Sequence, residues 1–83
     1  MKLWLIEQDV NNNYDTYDSA VVAAIDEQSA ADTYPGGGEV KNSERKHTRY
    51  SSWTETKNVR ATYIGEARDG MPAGVVCASF NAG

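Results

Sequence analysis

Residues 19–38 read SAVVAAIDEQSAADTYPGGG, and the way this stretch divides decides the fold. Ser19 to Ile25 shows no alternation and is rich in valine and small alanines, which suits a strand packed closely beneath a second layer. Asp26 then stands where a helix N-cap belongs, able to accept a hydrogen bond from the backbone N–H of Gln28 or Ser29. Ile25 and Ala30 hold the two positions of a small hydrophobic staple, and Glu27 complements the helix dipole. Pro35 cannot continue a helix and three glycines follow it. The spacing therefore predicts a helix from Glu27 to Tyr34 that buries Ala30, Ala31 and Tyr34. The alanines let such a helix lie close to a sheet.

Working outward, MKLWLIEQDV (residues 1–10) puts Leu3 and Leu5 on one strand face and Trp4 and Ile6 on the other. Apolar residues on both faces imply an inner strand. NNNYDTYD, residues 11–18, is then the hairpin connection between the first two strands. Downstream, VRATYIGE (residues 59–66) alternates as a strand, and ARDGMPAG is turn chemistry with Gly70, Pro72 and Gly74. Gly74 to Phe80 forms the last strand, with Val75, Cys77 and Ser79 opposite Val76, Ala78 and Phe80. Residues 39–58 are polar, broken only by the large aromatics Tyr50 and Trp53, and read as a loop with at most one short strand within His47 to Thr54. The expected fold is α+β and a single domain over residues 1–83. It has an antiparallel sheet of four strands, or five with the extra one, and one short helix on a face, in the order ββαββ. Its second face stays partly exposed unless the Tyr50 to Trp53 loop or a second copy covers it.

A chain of 83 residues buries only about 60–65% of its unfolded surface, so a large enclosed cavity is not expected. Apolar residues at 40% and charged ones at 24% are globular usage, too apolar for a disordered chain. Cys77 is the single cysteine, which excludes an internal disulfide framework, and no basic segment followed by an apolar one opens the chain. A reducing, cytosolic setting is expected. The longest apolar run, AVVAAI, has six residues, far below the roughly 20 of a membrane span. The net charge of −4 conceals an asymmetry. Residues 1–38 carry seven acids against Lys2, whereas residues 39–83 carry seven bases against five acids.

Several chemistries can be tested against this pattern. Asp9, Asn11, Asn13 and Asp15 fall at the first alternate positions of a calcium-binding EF-hand loop. Tyr14, however, occupies the position that needs glycine, and Ala20 the one that needs a bidentate glutamate. One His and one Cys cannot build a structural zinc site. A Cys77–His47 nucleophile pair is disfavoured because Cys77 lies in an apolar strand, where it is expected to pack in the core, while His47 reads as a solvated loop residue. PGGG follows a helix, whereas a phosphate cradle precedes one. The carboxylates Asp15 and Asp18, or Glu7 and Asp9, read as solvated surface. No catalytic residue, cofactor or metal is expected. The basic segment 41–60, with Tyr50 and Trp53 interleaved, has the composition of a single-stranded nucleic-acid binder. The acidic first half opposes that use.

KLWLIEQDVNNNYDTYDSAVVAA, the short alanine-bearing helix ending in YP, and IGEA followed by GVVCASFNAG resemble a group of small bacteriophage-encoded proteins. The likeness covers both ends of the chain, thins between residues 36 and 57, and carries over no catalytic residues. It implies the cytoplasm of an infected bacterium, where small acidic phage proteins, anti-CRISPR proteins among them, act as stoichiometric inhibitors of host machinery. The expected function is thus non-enzymatic. It is protein–protein inhibition of a host defence or nucleic-acid-processing complex, with DNA mimicry by the acidic turn as one mechanism. The expected contact residues are Asp9, Tyr14, Asp15, Tyr17, Asp18, Arg49, Tyr50 and Trp53, types favoured as interface anchors or as phosphate mimics. Rival expectations are sequestration of a small nucleotide-like ligand and direct nucleic-acid binding. A homodimer would suit the open sheet face.

Overall fold

A computed structural model describes residues 1–12, 14–48 and 50–81. Its strands are β1 (Lys2–Glu7), β2 (Thr16–Ala24), β3 (Arg60–Glu66) and β4 (Gly74–Asn81), and its helix is α1 (Glu27–Ala31). All four strands form one sheet in the order β3-β1-β2-β4, antiparallel throughout. The architecture is α+β, and two 3-10 turns, Asn42–Glu44 and Thr56–Asn58, add to the expected ββαββ order. Among the described residues no helix is long and apolar enough to cross a membrane.

The doubly apolar pattern of the first strand finds its cause in this topology, because β1 lies between β2 and β3. Trp4 stands opposite Val22 and Tyr63, and Ile6 opposite Ala20 and Ala61. Directly opposed residues share a face. That face is the core: Trp4, Ile6, Ala20, Val22 and Ala24 cluster there with Ala30 of α1 and with Trp53. Alanine at positions 20, 24 and 30 leaves room for the two indoles. The other face, with Leu3, Leu5 and Val21, is half-buried. The indole N–H of Trp4 donates to the carbonyl of Ala24 at 3.1 Å, tying β1 to the end of β2. Each strand pairing except β1 with β2 contains a register shift, which leaves Ile64, Asp18 and Val76 as extra residues. After β3 the chain crosses the end of the sheet to reach β4, held by Ala67 N–H on the Met1 carbonyl and by a turn from Arg68 to Met71. In that turn Gly70 takes a φ of 83°, a region only glycine enters freely.

The structure corrects five expectations. The helix stops at Ala31 rather than Tyr34, because Asp32 turns its carbonyl to the N–H of Asn42 and its carboxylate to Ser43 and Thr56. Asp26 does cap the helix, accepting from Ser29 N at 2.7 Å, but Ile25 is 69% exposed, so no staple forms. The second strand begins at Thr16, since Thr16 and Tyr17 already pair with Asn81 and Phe80. No strand forms among the described residues between His47 and Thr54; the N–H of Ser51 bonds back to Thr48 in a turn. Cys77 is exposed rather than core, because it lies on an edge strand opposite Val21, on the face away from the core.

Among the described residues Trp53, 1% exposed, is the largest fully buried side chain, and its indole N–H has no hydrogen-bond partner among them. Its contribution is therefore packing. Trp53→Ala is expected to cost about 3–5 kcal/mol, read as a lower urea midpoint with an unchanged slope. Trp53→Phe should recover more than half of that loss, because no hydrogen bond goes with the ring.

Candidate interaction surface

The hairpin between β1 and β2 is built around Gln8, a buried amide with each end occupied. Its Oε1 accepts from Val10 N and Asn11 N, both at 2.8 Å, and its Nε2 donates to the carbonyls of Asn11 at 2.8 Å and Tyr17 at 3.2 Å. Asn12 donates to the Asp9 carbonyl at 2.9 Å, the self-capping that suits asparagine to turns. Asp15 takes a left-handed φ of 61° and donates its N–H to the Asn81 carbonyl.

Hydrogen bonds from Asn11 and Tyr17 join this hairpin to the distant polar loop. Asn11 Nδ2 donates to the Ser51 carbonyl at 2.6 Å, and the Tyr17 N–H donates to the Ser52 carbonyl at 2.8 Å. Between them they bring the turn carrying Tyr14 beside the loop carrying Tyr50. Tyr14 is 74% and Tyr50 81% exposed, with Val10 exposed nearby. Asp9, Asp15 and Asp18 are exposed at the same end. Asp9 is paired with Arg60 at 3.6 Å. Tyr17 lies half-buried, edge-on to Tyr34 and Phe80 at centroid distances of 6.3 and 4.8 Å.

Six of the eight expected contact residues thus gather at one end of the sheet. Trp53 instead lies in the core, 1% exposed, so its ring is not presented at this surface. Arg49 lies outside the described residues. Composition did not single out Gln8 and Asn11, which hold the surface together. Their only signal was an amide placed at each side of a turn.

Behind this surface a second polar network folds the basic loop. Asn42 is fully buried; its Nδ2 donates to the Thr54 carbonyl and to Thr56 Oγ1, each at 3.0 Å. Its Oδ1 therefore accepts, and the Nε2 of His47, 3.0 Å away, is the donor. His47 is half-buried and bonded, which corrects its reading as a solvated residue. Thr56 Oγ1 in turn donates to Asp32 Oδ1 at 2.9 Å. Arg45 lies 3.9 Å over the ring of Tyr34 and donates to the Gly37 carbonyl. The cleft beside this network, about 310 Å³, is lined by Asn42, Ser43, Arg45, His47, Glu55, Thr56 and Lys57. Its charges are mixed, since Lys57 is 3.6 Å from Glu55. Among the described residues no three His, Cys, Asp or Glu side chains are placed to hold a metal ion. Comparison with known protein families, with curated proteins and with solved structures returns no match to this chain.

Partial burial pushes the carboxyl of Asp32 up, but hydrogen bonds from Ser43 and Thr56 and the charge of Lys41 outweigh it. The net effect holds the carboxyl below its ordinary value. A depressed folded-state pKa contributes stability that is present above the unfolded value and lost as pH falls through the folded one. Thermal melts should therefore show the wild type losing stability below about pH 4. Asp32→Asn should be less stable at neutral pH and flatter across the acid range.

Proposed function

We propose that this protein is a non-enzymatic, stoichiometric binder of a bacterial host protein complex, acting during phage infection against a defence or nucleic-acid-processing machine of the kind anti-CRISPR proteins inhibit. The site of action is the host cytoplasm. The phage setting rests on the resemblance at both ends of the chain. The observation that carries the binding reading is the junction of hairpin and loop through Asn11–Ser51 and Tyr17–Ser52. It sets two exposed tyrosines among three exposed carboxylates. Tyrosine combines a large apolar body with a polar tip and is favoured at interface hot spots.

Carboxylates spaced around such anchors can occupy a basic groove made for phosphates, and their contribution is long-range and screened by salt. Asp15 and Asp18 are the stronger candidates, because Asp9 already faces Arg60. Tyr17 supports the surface from below through its ring contacts rather than facing a partner in full.

Affinity capture from infected-cell lysate, followed by titration against the captured complex, tests this. Asp9, Asp15 and Asp18 changed together to Asn should weaken binding at least about tenfold at low salt, and the wild-type affinity should fall steeply with ionic strength. Tyr50→Ala should mainly raise the dissociation rate. Unchanged binding by the triple variant would sink the phosphate-mimicry mechanism, and unchanged binding by both variants would remove this end of the molecule from the interface.

A further inference from the structure

The two edges of the sheet are not alike. β3 carries Arg60 and Glu66 at its ends and the Tyr63–Glu66 hydrogen bond along it. β4 reads GVVCASFN over Gly74–Asn81 and contains no Asp, Glu, Lys, Arg or Pro. Charges and prolines are the devices by which soluble proteins keep an open edge from pairing. β4 has neither, and Val76 and Phe80 are each 47% exposed on it.

We infer that β4 is a pairing edge and that the strand it takes is β4 of a second copy of this chain, joining two four-stranded sheets across a twofold axis. An antiparallel pair of identical strands is isologous, so each contact is made twice and no separate complementary surface is needed. Charge favours the same occupant. The chain carries a net −4, so two copies repel each other overall, whereas β4 brings no like charges together. The flanking charges are Asp15, whose N–H bonds Asn81, and Arg68 and Asp69 in the turn before the strand. Both ends are thus polar and the middle is not. The extra residue at Val76 interrupts the ladder to β2, so pairing centres on Cys77 to Phe80, where Cys77, Ala78 and Ser79 are small enough to admit a neighbouring backbone.

This inference is independent of the partner reading and is tested without a partner. Sedimentation equilibrium in reducing buffer should show the 9.1 kDa chain shifting toward twice that mass between about 1 and 100 µM. Backbone amides from Cys77 to Ser79 should become more protected from hydrogen exchange as concentration rises. Ser79→Lys and Val76→Lys, both at exposed positions, should keep the wild-type circular dichroism and weaken the dimer at least about tenfold, or 1.4 kcal/mol. Thr62→Lys, opposite Leu5 on the uncovered face, should leave the dimer intact. A monomer throughout the range, or exchange in β4 that ignores concentration, overturns the proposal. So does a dimer that the β4 variants leave unchanged or that Thr62→Lys abolishes, since it would then use another surface.

Discussion

The burial of Trp53 against the sheet is the contact on which the rest of the structure depends. A five-residue helix cannot cover four strands, and an isolated helix of that length has no stability of its own in water. Trp53 supplies the missing apolar cover beside Trp4, Ile6 and Val22. In doing so it draws a long polar segment onto the sheet. Everything that segment contributes, from the Asn42 network to the position of Tyr50, follows from anchoring one indole.

Once Trp53 is seated, the backbone on either side of it needs hydrogen-bond partners, and two asparagine side chains and a strand N–H provide them. Asn42 satisfies Thr54 and Thr56 on one side, while Asn11 and Tyr17 satisfy Ser51 and Ser52 on the other. A buried polar group left without a partner costs about 1–3 kcal/mol, so these bonds specify where the loop lies. Asp32 links the same loop to the helix. Its early use as a clamp explains why the helix is short. The surface offered to a partner and the stability of the fold therefore share residues, with Asn11 and Tyr17 serving both.

Strand patterns were readable from the chain because they follow from the period of two and from turn chemistry. The doubly apolar MKLWLIEQDV was read as an inner strand and lies between two others. The Asp26 cap was equally readable, since an N-cap acts within three residues. The staple at Ile25 and the burial of Cys77 were misread for a common reason. Both are apolar residues whose environment depends on which strand is an edge and which face is covered. Six of the eight expected contact residues lie together, while Trp53 turns inward: an aromatic in a polar loop reads the same whether it faces solvent or core.

By itself the sequence determined the elements: four strands by alternation and small-residue content, a capped helix, glycine turns, and a charge split between the halves. These are local, set by backbone geometry and neighbours a few residues away. Only the tertiary structure decided the strand order that leaves β4 uncharged at an edge, the single face on which α1 and Trp53 both lie, and the joining of the first hairpin to the Tyr50 loop. Each of these depends on contacts between residues some 20 to 60 positions apart, and such pairings are chosen by burial and hydrogen-bond satisfaction over the whole chain.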